Sequence, residues 1–173
     1  MDQAVIVDHD SATAPAGPLL TLFHGAPGSG KTTLARRLEA EGVGVRLCTD
    51  DWQDALGLDL ADEILHERLQ ALLYRHALTL LERGVDVILE DGLWMEVERR
   101  RVFADARERG ARIHWHVFEV PAQELHRRLV ARNAAGDTGA VPIPRAELER
   151  ILGLIEPPTL QERSSVDALT VHR

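Results

Sequence analysis

The run Gly25-Ala26-Pro27-Gly28-Ser29-Gly30-Lys31-Thr32-Thr33 sets a glycine-rich turn between an apolar segment, residues 19–24, and a helical pattern over 31–41. It fits the spacing Gly, four residues, Gly-Lys-Ser/Thr, in the strand-then-helix context that spacing requires. Glycines let consecutive backbone N–H groups turn inward on an anion with no side chain in the way. The helix that starts at Lys31 points its positive end at the same anion. These residues predict a cradle for nucleotide phosphates, with Lys31 on the β- and γ-phosphates and the Thr32 hydroxyl on Mg²⁺. ATP and Mg²⁺ are therefore the expected cofactors.

On either side the chain alternates. Residues 31–41 carry Leu34, Ala35 and Leu38 on one helical face and stop at Gly42. A second strand is expected over 43–49 and a long helix over 62–83, where Leu65, Leu69, Leu73, Ala77 and Leu81 form part of a broad apolar stripe. The run 85–89, Val-Asp-Val-Ile-Leu, predicts a strand buried on both faces. Further helices are expected over 96–109, 122–133 and 145–155, with strands over 113–120 and 168–172. Strands alternating with helices in this way imply βαβ units, so the expected fold is α/β: three layers, a five-stranded, mainly parallel sheet and helices on both faces. Residues 1–18 read as a flexible lead-in rich in Ala, Pro, Ser and Gly at its end, and 19–173 as one domain.

Composition narrows the class. A formal charge of −8 argues against a protein that coats nucleic acid non-specifically, so nucleic acid is an unfavoured partner and a small acceptor a favoured one. Arg99, Arg100 and Arg101, and Arg127, Arg128 and Arg132, are local basic clusters whose simplest reading is a solvated helix face. Cys48 is the only cysteine, which suits a reducing cytoplasm. No apolar run approaches the ~20 residues needed to span a bilayer, so no membrane partner is expected.

Acidic residues cluster after two strands. Thr49-Asp50-Asp51-Trp52 follows the second strand, where a carboxylate could orient an acceptor hydroxyl and take its proton. Asp50 or Asp51 could equally cap a short helix through Trp52. Glu90-Asp91-Gly92 ends the third strand, the usual place for an acid that holds Mg²⁺, and also a common strand-end turn. Asp51, Trp52 and Trp94 are candidates for the acceptor pocket, although Trp94 could instead pack under its loop. Arg128 and Arg132 lie one helical turn apart and, with the loop from Asn133 to Pro144, suit a lid around 127–144 that closes over the phosphates. His114 and His116 share a strand face but have no evident third ligand, so they read as packing or surface residues.

The stretch from Leu19 to Asp167 resembles the AAA-type, zeta-toxin-like P-loop kinases, a group related to polynucleotide kinases, chloramphenicol phosphotransferase, and shikimate and gluconate kinases. The likeness rests on FHGAPGSGKTTLA, TDDW, VILEDGLW with its ERRR helix, RRLVARN after VFEVP, and PPTLQE. It implies Asp50 as the catalytic base, Arg128 and Arg132 as lid arginines, and transfer of a γ-phosphate to a hydroxyl. Polynucleotide kinases follow their paired acids with an arginine; here Trp52 and Gln53 stand there, which favours a small metabolite or antibiotic-like alcohol. The alternatives are a polynucleotide or nucleoside kinase, and an ATP-binding regulatory module with little turnover.

Overall fold

A computed structural model describes residues 5–8, 17–135 and 142–173. Along the chain run β1 (Val5–Asp8), β2 (Leu19–His24), α1 (Lys31–Ala40), β3 (Val45–Leu47), α2 (Thr49–Ala55), α3 (Glu63–Glu82) and β4 (Val87–Leu89). They are followed by α4 (Glu96–Glu108), β5 (Arg112–Phe118), α5 (Ala122–Ala135), α6 (Arg145–Leu152), α7 (Leu160–Ser164) and β6 (Ala168–His172).

The strands order as β1-β6-β5-β2-β4-β3. The five expected strands, β2 to β6, pair in parallel, and β1 adds an antiparallel sixth on the edge of β6. Residues 5–8 therefore belong to the sheet, whereas the sequence placed them in a lead-in. The remainder of that lead-in up to 16, and residues 136–141 of the expected lid, lie outside the described residues. The sheet carries α3 and α4 against one face and α1 against the other, the three layers read from the alternation, and α7 is tied to α4 through Glu162 and Arg99.

Period-2 alternation decides what each face buries. On β5, Ile113, Trp115 and Val117 point into the larger core with Leu69, Leu73, Ala77 and Leu81 of α3 and Val102 and Ala106 of α4. The opposite face carries Phe23 and Ile88 under Leu34 and Ala35 of α1. All three residues of β4 are buried, as a strand covered on both sides demands. Each buried Leu, Ile or Val contributes ~1.5–3 kcal/mol, so these faces fix the register of the strands.

β4 pairs between β2 and β3, so β3 is the edge strand of the sheet and the segment after it is one strand removed from β2. The expected cap is corrected by the structure. Thr49–Ala55 is a helix whose N-cap is Cys48, so neither Asp50 nor Asp51 is the cap; both carboxylates stand in its first turn.

Candidate functional site

The phosphate loop leaves β2 at His24 and enters α1 through Gly30, which caps the helix in a left-handed conformation. Gly28 has φ of +79°, and a Cβ there would press on Leu129 of α5. The loop is thus seated on α5, with Ala26 in one cluster with Leu125, Leu129 and Leu148. Lys31 Nζ donates to the carbonyls of Gly25 at 2.8 Å and Ala26 at 2.9 Å, folding back over the loop it would serve. Burial lowers the Lys31 pKa to about 8, against the opposing pull of Glu90 and then Asp50 and with a smaller downward push from Arg132. Two carboxylates and one arginine thus act electrostatically on the lysine.

The paired acids separate. Asp50 is the outward member, its side chain 64% exposed, with Oδ1 3.5 Å from Nδ1 of His66 on α3. Asp51 turns the other way, toward Arg46 at 2.7 Å and Arg36 at 3.2 Å. The partly buried Asp51 carboxyl pays for desolvation, but hydrogen bonds and charge from Arg46 outweigh it and hold its pKa below the usual range. Arg46, on β3 and almost wholly buried, also donates through Nε to Glu90 at 2.6 Å. Asp51, Trp52, Arg46 and Cys48 line a cleft of about 470 Å³ between α1 and α2. Burial and the neighbouring Glu90 push the Cys48 thiol up to about 12, so it is no nucleophile.

Glu90 and Asp91 also diverge. Glu90 lies toward Lys31 and Arg46, whereas Asp91 lies toward α3, hydrogen-bonded to Gln70 and near His66, Asp50 and Glu98. Burial raises the Asp91 pKa to about 6, and the negative neighbours Asp50 and Glu98 add to the rise. The sequence reading missed His66 and Gln70. They stand four residues apart, so they share one side of α3. A polar pair at that spacing was visible, but nothing local said which loop it would meet.

Trp94 sits on the nucleotide side. Its indole Nε1 donates to the Gly25 carbonyl at 3.2 Å, so it braces the phosphate loop from the adjacent strand. The brace has a cost in backbone strain, since Leu93 adopts φ of +42°. His24 holds that residue by donating Nδ1–H to the Leu93 carbonyl at 3.0 Å. Arg99 secures the same loop from beneath and is fully buried, so the first arginine of the ERRR cluster is no solvated residue. Its guanidinium grips Glu162 at 2.6 and 3.2 Å and also meets the Glu156 carbonyl. Arg100, by contrast, is a surface partner of Glu96.

Arg128 lies on the rim of the loop, donating Nη1 to the Ser29 carbonyl at 3.2 Å and Nε to Glu124 at 2.7 Å. Arg127 pairs with Glu124 at the surface. His114 and His116 are packing residues in part: His114 Nε2 bonds the Thr170 hydroxyl, and His116 Nδ1 shares a proton with His172 Nε2 at 3.1 Å. Among the described residues no three His, Cys, Asp or Glu side chains form a metal-holding group. Among the described residues, no helix is long and apolar enough to cross a membrane.

Comparison with known proteins supports the same architecture. A structure of the Pnkp1/Rnl/Hen1 RNA repair complex contains a chain 27% identical, with a TM-score of 0.68 over 83% of this chain. The match spans only 46% of that longer chain. Chaetomium thermophilum Kti12, solved with ADP-AlF3, is 17% identical with a TM-score of 0.65, covering 88% of this chain and 87% of its own. The Mycobacterium tuberculosis APS kinase CysC, solved with AMPPNP and APS, is 19% identical with a TM-score of 0.51, covering 81% and 98%. At such identities the last two share the fold alone. No curated protein gives a significant sequence match. With its α/β P-loop kinase fold and a family model matched over residues 20–158, the chain belongs to the AAA domain family.

Proposed function

We propose that this protein is an ATP-dependent kinase that transfers the γ-phosphoryl group to a hydroxyl of a small-molecule acceptor, a metabolite or an antibiotic-like alcohol. What supports the reading is the phosphate loop between β2 and α1, where Lys31 Nζ lies on the Gly25 and Ala26 carbonyls and feels the charge of Glu90 and Asp50. Lys31 leaves the Gly25 and Ala26 carbonyls for the β- and γ-phosphates, which restore its full charge. Residues 25–33 enclose the phosphates with their N–H groups. Of the metal candidates Thr32, Glu90 and Asp91, Thr32 and Glu90 would hold Mg²⁺ in this reading, and Asp91 would serve the acceptor. Bound there, the ion would offset charge on the β- and γ-oxygens.

Asp50 is the base. The acceptor oxygen bonds to the γ-phosphorus, the bond to the β–γ bridging oxygen breaks to leave ADP, and the hydroxyl proton passes to the Asp50 carboxylate. Arg128 and Arg132 supply positive charge to the transferring group, and Trp94 keeps the loop's first peptide oriented. Asp51 supports the site from behind through Arg46, with Trp52 exposed beside it.

A second reading, a polynucleotide 5′-kinase, is favoured by the likeness to part of the Pnkp1 repair complex. The test incubates the protein with Mg-ATP and a pooled alcohol library or a 5′-hydroxyl oligonucleotide, and looks for a mass gain of one phosphate group. Asp50→Asn should lower transfer by ~10²–10⁴-fold with little change in ATP affinity. An unchanged rate would remove Asp50 as base, and phosphate release with no acceptor modified would favour a regulatory module.

A further inference from the structure

The Asp50 side chain is 64% exposed, yet one side chain is set against it: His66 of α3, whose Nδ1 lies 3.5 Å from Oδ1. The same ring nitrogen lies 3.1 Å from Oε1 of Gln53, one helical turn along α2 from Asp50. Gln53 is fully buried. A buried amide persists where its hydrogen bonds are made, and these are made between α2, α3 and the loop that joins them.

Those bonds settle which atom carries which proton. Gln53 Nε2 donates to the Asp59 carbonyl, which can only accept, so the amide atom facing His66 is the oxygen and also accepts. The neutral imidazole therefore carries its proton on Nδ1, and Nε2 keeps a lone pair. Asp59 is itself fixed, its Oδ1 accepting from the Ala61 N–H and its carbonyl from the Asp62 N–H. The chain from Asp59 through Gln53 to His66 thus presents one N–H to two acceptors, Gln53 Oε1 and Asp50 Oδ1.

For a general base this arrangement has a use. A carboxylate that swings freely through water offers a well-aimed lone pair to a hydroxyl only part of the time. A donor on Oδ1 holds the carboxylate plane and leaves Oδ2 for the hydroxyl. Once Oδ2 takes the proton, the carboxyl is a weaker acceptor, and the Nδ1–H still has Gln53 Oε1, so no donor is stranded.

We propose that His66 is a positioning residue for Asp50: its Nδ1–H, oriented by Gln53, holds Oδ1 of the base while Oδ2 receives the acceptor's proton. This rests on the kinase reading above and deepens it. The hydroxyl proton ends on Asp50, and the His66 proton stays on Nδ1. A small rotation of either side chain, both of which reach solvent, closes the 3.5 Å to a hydrogen bond.

The experiment measures transfer from Mg-ATP to the best acceptor found in the alcohol library or to the 5′-hydroxyl oligonucleotide. His66→Ala should lower kcat about tenfold, as the loss of one hydrogen bond to a charged group does, and leave the KM for ATP within about twofold. His66→Asn, whose side-chain amide puts an N–H where Nδ1 stood, should restore most of that loss. In an Asp50→Asn background His66→Ala should cost about twofold or less, because the group it positions is gone. In the wild-type protein at about pH 8, above the ordinary imidazole range, two-bond ¹H–¹⁵N spectra should show His66 protonated on Nδ1. Wild-type kcat in His66→Ala, an Asn variant no better than Ala, an undiminished cost in the Asp50→Asn background, or a proton on Nε2 overturns the inference while leaving a kinase. ATP binding with no transfer to any acceptor overturns the kinase reading, and this inference with it.

Discussion

Arg99→Met is the sharpest test of how the site is held. The methionine fills much of the arginine's volume but removes five donated hydrogen bonds: two to Glu162 and one each to the carbonyls of Leu93, Trp94 and Glu156. Two carbonyls keep another donor, His24 for Leu93 and the Glu156 N–H for Trp94, so their loss is small. The large component is Glu162, 9% exposed and left without its counter-charge. Breaking a buried pair from one side costs ~3–5 kcal/mol, a substantial part of the ~5–15 kcal/mol that holds a domain together. Urea denaturation at neutral pH should show that loss. The double variant Arg99→Met/Glu162→Gln should recover a good part of it, because the stranded charge is gone. ATP affinity of the folded single variant should also fall, since the Trp94 brace on Gly25 hangs from the same loop. A loss below ~1 kcal/mol, or a double variant no better than the single, would refute the assignment of Arg99 as the clamp of this loop.

Two further outcomes follow from other parts of the molecule. If Arg132 belongs to a lid that closes on the phosphates, Arg132→Ala should lower turnover more than it weakens ATP binding; steady-state kinetics against calorimetry checks this, and wild-type turnover would remove Arg132 from the site. Burial, with His114, His172 and Arg37 adding to it, pushes the His116 pKa down to about 2, so the native state keeps it neutral while the unfolded chain takes a proton near pH 6.5. Stability should therefore be lost as pH falls below ~6.5, by up to ~1.4 kcal/mol per unit from this residue, and His116→Phe should flatten that slope between pH 6.5 and 5 in denaturant titrations.

What the sequence made legible is what local rules encode. The strand-turn-helix around Gly28 follows from backbone freedom and helix polarity within nine residues, so its form and its chemistry were readable together. The parallel strands were readable because a run such as Val87-Ile88-Leu89 has no polar residue to turn toward water. β1 was not readable, since four residues pair only with β6 at the far end of the chain, and a run that short has no period of its own. The helix α2 carries no apolar stripe, Thr-Asp-Asp-Trp-Gln-Asp-Ala, and forms where Gln53 is fully buried and its amide meets the Asp59 carbonyl and His66. The helix α7 did carry a sign: Thr159 and Glu162 form a reciprocal cap at the spacing that the sequence displays.

The site failed to be legible wherever two like residues stand side by side. Successive residues on a helix point ~100° apart, and strand-end residues point to opposite sides, so Asp50 and Asp51, Glu90 and Asp91, and Arg99 and Arg100 must each part company. Sequence can assert that division but not its sense, because the sense depends on what the sheet order brings alongside. Here β4 enters between β2 and β3 and sets Glu90 between Lys31 and Arg46. Arg46 then draws Asp51 back to its own side, which leaves Asp50 as the acid beside His66, with its charge acting on Lys31. The division between the two acids is thus made by an arginine on an edge strand that no motif marks: of two adjacent carboxylates, Arg46 takes Asp51, and Asp50 is left 64% exposed beside His66.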